Sequence, residues 1–381
     1  MSTMRNLPTT CKAQPTKQSG LSLIELMISL TIGVVLLIGI TSLIVQQSNS
    51  RDELEKSSRQ IENGRYAMQI LYDAIQHAGF YGTFVPPLNA IYTTNDPCGN
   101  FTLNKDWDAT NAVTSPVSIP MPIMGYTEAT APTLACLQNY LPGTSVLVTH
   151  HVDTVDTLNF KGNALEPGIL PSAADGITSY LQISHCPTET AASPFKLAIT
   201  NLNLTKRDCS APAKILKYLV RIYYISSCNI CAPSDNVPTL KMIENPMNLS
   251  PGQQPNPVPL VEGIEKMHFD YGLDTDIATG DGFPDVYVTD VDAAVANGLV
   301  SNLNNTVAKA WSDVMAIRIN LLARNLDQTT GYTDTKTYCL TGTATPCPAN
   351  RLVPAQNDQY KRHLYTQVAR VVNAIGRRAL K

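Results

Sequence analysis

The sequence predicts an α+β protein in which a long N-terminal α-helix, membrane-spanning in its first half, packs on an antiparallel β-sheet head. An apolar stretch over residues 26–45 contains no charged residue, and a helix of that length spans the hydrocarbon core of a bilayer. Apolar residues then recur with helical spacing to about residue 79. Later segments alternate apolar with polar residues, which is typical of strands.

These patterns divide the chain into a leader (residues 1–20), the transmembrane part of the helix (21–45), its amphipathic continuation (46–80) and a disulfide-containing globular head (81–381). The leader is basic and contains no acid, which predicts that it faces the cytoplasm and that the head lies across the membrane. The predicted buried face of the amphipathic continuation comprises Leu54, Ile61, Met68, Leu71, Ile75 and Ala78.

Glu25 stands almost at the head of the apolar stretch. A carboxylate in the middle of a membrane helix costs about 2.5 to 3.5 kcal/mol, so a compensating partner is expected. Cleavage after Gly20 would leave a cationic amine on Leu21, and the Glu25 carboxylate of one subunit could pair with the amine of another. The alternative is a plain signal anchor that carries a glutamate.

These residues resemble the class III signal of the type IV pilin and pseudopilin family, although Leu21 replaces the usual Phe. The resemblance implies that Gly20 is recognised by the prepilin peptidase, that Leu21 is the N-methylated terminus and that Glu25 acts in assembly. Segments 63–67, 78–82, 261–272, 316–319 and 368–373 are similar to those of PilW-type minor pilins. A pilin-like fold is therefore expected.

The resemblance implies a minor pilin that primes pilus assembly and enters the pilus at or near the tip. Its expected partners are other minor pilins, the major pilin, the prepilin peptidase, the inner-membrane assembly platform and a tip adhesin. Its expected location is the inner membrane, as a single-pass protein with a periplasmic head, and then the extracellular pilus. Two alternatives are a J-type pseudopilin of a type II secretion system and a membrane-tethered adhesin or ligand-binding protein.

Charge and cysteine content agree with export. The net charge is −3, and removing the three basic leader residues leaves −6. A negatively charged chain is not expected to bind nucleic acid directly. Eight of the nine cysteines lie after the leader, an even number that favours disulfides in an oxidising compartment. Eight cysteines allow 105 pairings, and pairing neighbours in order is our expectation: Cys98 with Cys136, Cys186 with Cys209, Cys228 with Cys231, and Cys339 with Cys347.

The acidic segment 274–285 contains Asp274, Asp276, Asp281 and Asp285 and partly matches a calcium-binding loop. Ala278 offers no side-chain oxygen at the fifth position. The segment is therefore interpreted either as a calcium site or as an acidic, solvent-exposed hairpin loop. No other cofactor is indicated. The chain lacks a nucleophile elbow, a Walker A loop, an HExxH motif and a dinucleotide fingerprint, and enzymatic activity is not expected.

Within the head, residues 83–143 are predicted to form long loops, residues 292–311 a helix, and residues 245–259 a Pro-rich loop or linker. Gly79 and Gly82, followed by Pro86 and Pro87, are predicted to end the long helix. Strands are predicted at 144–149, 180–184, 196–200, 215–225, 267–273, 285–288, 314–323 and 364–372.

Overall fold

The structure is a computed structural model. It describes residues 20, 22–85, 91–94, 96–98, 118–156, 160–161, 164–165, 179–189, 195–198, 202–246, 255–275, 281–299, 307–341 and 346–373. The chain divides into two compact units, Met1–Glu55 and Lys56–Lys381.

The long helix, α1, extends over Leu23–His77, close to the predicted bounds. Its apolar first part is not buried in the protein, and by length and composition it is sufficient to cross a membrane. Further along, the buried positions are Gln60, Gly64, Ala67, Met68, Leu71, Ala74 and Ile75.

The buried face of α1 differs from the prediction at its start. Leu54 and Ile61 were expected on it, yet they are 70% and 41% exposed. Gln60 and Gly64 occupy the buried positions instead, because this part of the helix meets backbone carbonyls and an aromatic ring, for which an amide and a glycine are suited.

The head is built mainly from antiparallel strands. The strands are β1 (Ile91–Thr93), β2 (Ser118–Pro120), β3 (Ile123–Tyr126), β4 (Val146–Asp156), β5 (Phe160–Lys161), β6 (Ala164–Leu165), β7 (Tyr180–Ile183), β8 (Phe195–Ala198), β9 (Ile215–Ser226), β10 (Thr239–Glu244), β11 (Val258–Glu262), β12 (Ile264–Leu273), β13 (Val286–Val288), β14 (Val314–Arg324), β15 (Tyr338–Cys339), β16 (Leu352–Val353) and β17 (Arg362–Arg370). Two short helices, α2 (Val291–Ala296) and α3 (Val307–Ser312), precede β14.

Two larger sheets contain most of these strands. A seven-stranded sheet has the path β11-β10-β9-β4-β3, with β7 joined to β9 and β8 joined to β7. A four-stranded sheet has the order β13-β12-β14-β17. In it, Phe269 of β12 pairs with Ile319 of β14, which in turn pairs with Gln367 of β17.

The main core lies between the second part of α1 and both sheets. Met68, Leu71 and Ile75 of α1 belong to one buried cluster with Phe269 of β12 and Ile319 of β14. Both sides of β9 are buried. Tyr223 and Ile225 join this core, whereas Tyr218, Val220, Ile222 and Tyr224 join a second cluster on the opposite face of the sheet.

Three predictions about the head are wrong. The helix expected over 292–311 ends at Ala296, because Asn297 caps it and Gly298 follows with a φ of +68°. The segment 83–143, expected to form loops, contains β1, β2 and β3. Pro259 lies inside β11 rather than in a linker, as an edge strand permits.

Candidate assembly site

The N-terminal end of α1 holds the residues predicted to act in processing and assembly. Gly20 is exposed and lies outside the helix, whereas Leu21 lies outside the described residues. Glu25 is in the first turn, where a carboxylate interacts favourably with the helix dipole.

Ser22 and Glu25 form the reciprocal half of a capping box. The backbone N–H of Ser22 donates to Glu25 Oε2 at 3.4 Å, and the N–H of Leu26 donates to the carbonyl of Ser22 at 3.1 Å. The second carboxylate oxygen, Oε1, accepts no hydrogen bond among the described residues. Glu25 therefore both organises the start of the helix and presents an oxygen to a further donor. The spacing of Ser22 and Glu25, three residues apart before an apolar run, is the sequence signal for this cap.

Within α1, residues 63–67 contact the head. The side-chain amide of Asn63 donates to the carbonyl of Glu262 at 3.1 Å. At Gly64 an added Cβ would lie only 2.3 Å from Cε2 of Tyr365, so only glycine allows the Tyr365 ring to pack directly on the helix. Arg65 and Tyr66 are exposed, and Ala67 is fully buried.

The exit of α1 is fixed from two sides. Gly79 adopts a φ of +76° and donates its N–H to the carbonyl of His150 at 2.8 Å. The side-chain amide of Asn373 donates to the carbonyls of Gln76 at 3.2 Å and Ala78 at 2.9 Å. The two bonds from Asn373 satisfy carbonyls at the end of the helix that have no intrahelical partners.

A cluster of ion pairs surrounds Arg362, the first residue of β17. The buried guanidinium of Arg362 contacts the carboxylates of Glu265 at 2.6 Å, Asp358 at 2.7 Å and Asp334 at 2.9 Å. Burial acts to lower the pKa of Arg362, but its hydrogen bonds with Asp358 and Glu265 raise that pKa overall. Three carboxylates around one guanidinium make this a structural centre of the head.

Four disulfides join the cysteines in the pairs expected from the sequence. They are Cys98–Cys136, Cys186–Cys209, Cys228–Cys231 and Cys339–Cys347. Each closes a local loop, with sequence separations of 38, 23, 3 and 8 residues. They therefore support the irregular segments of the head rather than link its two sheets.

The described aspartates of the acidic segment, between β12 and β13, accept backbone hydrogen bonds. Asp274 is buried and accepts from the N–H of Gly282, Asp281 accepts from Phe283, and Asp285 accepts from Thr275. Asp276 lies outside the described residues. No group of three potential metal ligands occurs within the described part of the chain. Calcium binding here stays a prediction, and calorimetric titration of the chain and its Asp281→Asn variant with calcium tests it.

Two segments of the chain, near its beginning and near its end, match models of known protein families. The family model described as type IV pilus-assembly protein W matches residues 222–373, from within β9 to Asn373. The model of the prokaryotic N-terminal methylation motif matches residues 15–41. The solved structures include a match to the type IV-like pilin TTHA1219 from Thermus thermophilus, with 10% identity, 83% of this chain and 98% of that chain covered, and a TM-score of 0.31. No curated protein matches the chain.

A methylation-type N terminus, a long apolar helix and an antiparallel head define a type IV pilin-like protein. The chain is a membrane-anchored pilin that is incorporated into the pilus. Its residues 222–373 are similar to the PilW family of type IV pilus-assembly proteins. The pilus context implies processing by prepilin peptidase and contact with other pilins.

Proposed function

We propose that this chain is a minor pilin that primes type IV pilus assembly and is incorporated at or near the pilus tip. The observation that carries the proposal is the position of Glu25, in the first turn of an exposed apolar helix and five positions after Gly20, the residue before the expected cut. The match of residues 222–373 to a pilus-assembly family supports a pilus rather than a secretion system.

Cleavage after Gly20 frees the amine of Leu21 close to the first turn of the helix. The Oε1 atom of Glu25 then accepts from the Leu21 amine of a neighbouring subunit, while Oε2 keeps its bond to the Ser22 N–H. The low dielectric around packed apolar helices strengthens this pairing and offsets the cost of burying each charge. The exposed leucine, isoleucine and valine side chains of residues 26–45 bury against one another in the same step.

In this proposal the prepilin peptidase acts first, the inner-membrane platform receives the processed chain, and the other minor pilins assemble with it before the major pilin is added. A tip adhesin is a further partner. The role is assembly rather than catalysis, because the proposed chemistry is a charge pairing between subunits.

The test uses the full chain and its Glu25→Ala variant, with Asp52→Ala as a matched control on the exposed surface of the same helix. Intact mass and N-terminal sequencing are measured on membrane and sheared pilus fractions. We expect both variants to begin at N-methyl-Leu21 in the membrane, and only Glu25→Ala to be missing from sheared pili and to reduce their number.

Normal piliation by Glu25→Ala, with the variant present in the pili, would contradict the assembly role. Deletion of the chain separates the pilus from a type II secretion system. We expect loss of pili with normal export of secreted enzymes, and the opposite result would assign the chain to the pseudopilins. Pili that form normally without the chain, together with normal secretion, would favour a tethered adhesin.

A further inference from the structure

A cleft of about 510 Å³ lies in the head between α1 and the beginning of β17. Its walls include Arg65 from the helix, Lys336 and Tyr332 from the segment before β15, and His363 and Tyr365 from β17. All of these residues belong to the second compact unit. The volume lies within the range of small-molecule sites, about 300 to 1,000 Å³.

The described lining is cationic. It contains Arg65, Lys336, Lys361, Arg362 and His363, and no aspartate or glutamate. The Arg362 charge is already matched by its three carboxylate partners. Arg65 and Lys336 are both exposed, and neither forms an ion pair among the described residues. The wall therefore offers at least two cations to an anionic ligand.

A buried hydroxyl group without a partner lies at the same wall. Tyr365 Oη is inaccessible to solvent and makes no hydrogen bond within the described structure. Burying such a group without a hydrogen-bond partner is unfavourable. Burial raises the pKa of Tyr365 and the positive charge of Arg65 opposes the shift, so the phenol stays protonated at neutral pH and adds no negative charge to the cationic wall.

The cleft is preformed by the contact of helix and strand. The Gln60 amide donates to the carbonyl of Ala323 at 2.8 Å and to that of Lys361 at 2.9 Å, which holds α1 against the ends of β14 and β17. The Tyr365 ring is held between Gly64 and the His363 ring, whose centroid is 4.6 Å from its own. A ligand would therefore meet fixed groups, which lowers the entropic cost of binding.

We infer that this cleft binds a carboxylated sugar unit, such as a uronic acid residue of an acidic saccharide. The carboxylate matches the guanidinium of Arg65 and the ammonium of Lys336, since arginine binds carboxylates in a bidentate manner. The sugar hydroxyls match the hydroxyl of Ser57, which also lines the cleft, and Tyr332 and Tyr365 offer aromatic rings beside the cations. A bare inorganic anion would satisfy the cations alone and would leave most of the volume empty. This inference is independent of the proposed role in assembly.

The test is calorimetric titration of the full processed chain in detergent micelles. The probe is a glucuronate-containing disaccharide, with lactose as a neutral disaccharide of similar size and inorganic phosphate as a simple anion. The variants are Arg65→Gln and Lys336→Gln, with Lys206→Gln as a control for the loss of one positive charge on an exposed residue outside the cleft.

We expect the glucuronate disaccharide to bind the wild type and Lys206→Gln equally, and to bind Arg65→Gln and Lys336→Gln about tenfold more weakly. Equal thermal midpoints for all four proteins verify that the substitutions leave the fold intact, as expected for exposed side chains. Unchanged affinity in both cleft variants, absent binding to the wild type, equal binding of lactose, or phosphate binding as tightly as the uronate would each overturn the inference.

Discussion

Gly64 is predicted to be needed for the contact between α1 and β17, and the expected effect of Gly64→Ala follows from three distances. The added Cβ would lie 2.3, 2.5 and 2.9 Å from Cε2, Cζ and Cδ2 of Tyr365. In an unhindered helix, alanine in place of glycine stabilises by about 0.5 to 1 kcal/mol. Overpacking of a filled contact costs about 1 to 3 kcal/mol, so we expect a net destabilisation of about 1 to 2 kcal/mol.

Urea unfolding of the processed chain in detergent, followed by circular dichroism, measures this change. Tyr365→Ala removes the obstructing ring, so Gly64→Ala made in that background should stabilise by up to about 1 kcal/mol. Gly39→Ala is the matched control, because an added Cβ there would meet no atom within 4 Å apart from the nearby backbone of the helix itself. If Gly64→Ala stabilised the protein equally with and without the Tyr365 ring, the proposed packing would be wrong.

Three further predictions concern the stability of the head. Arg362→Met leaves the carboxylates of Glu265, Asp334 and Asp358 close together without their cation, and we expect a loss of about 3 to 5 kcal/mol in urea unfolding; a loss below 1 kcal/mol would show that the cluster contributes little. Asn373→Ala removes two hydrogen bonds at the exit of α1 and should cost about 1 to 2 kcal/mol, whereas Asn373→Asp, which accepts but cannot donate, should not restore them. Burial lowers the pKa of His150 and His268 to about 3 and that of His151 to about 4, from an ordinary 6.5, so the folded state binds fewer protons than the unfolded state below pH 6.5. Stability should therefore fall between pH 6.5 and about pH 4, by up to about 1.4 kcal/mol per pH unit for each histidine, and unchanged urea unfolding between pH 7 and pH 5 would contradict this.

The parts of the fold that follow local patterns were predictable from the sequence. The apolar stretch and the helical spacing after it gave α1 within a few residues, because backbone hydrogen bonds within one helix depend only on neighbouring residues. The alternation in residues 215–225 gave β9. Two residues made the strands β10 and β11 difficult to predict from the sequence. Lys241 interrupts the apolar pattern of β10 although it is buried, and Pro259 lies in the edge strand β11.

The cleft was not predictable, because its residues come from three separated parts of the chain. Arg65 is one charged residue on an otherwise ordinary helix, Lys336 lies in a polar segment, and Lys361 to His363 form only a short basic run. The folded sheet brings β17 beside α1, and the pairing of β17 with β14 is a contact between residues distant in sequence. Periodicity within a short window carries no information about such contacts.

The hydrogen bonds from Asn373 to the exit of α1 also have a consequence for biogenesis. They connect residues that are 297 and 295 positions apart, so they form only after nearly the whole head has been synthesised and translocated. Until β17 arrives, Gly64 and the buried face of α1 after it lack part of their final covering. A chain interrupted before this strand therefore cannot complete its head, and only a fully exported subunit presents a finished surface to the growing filament.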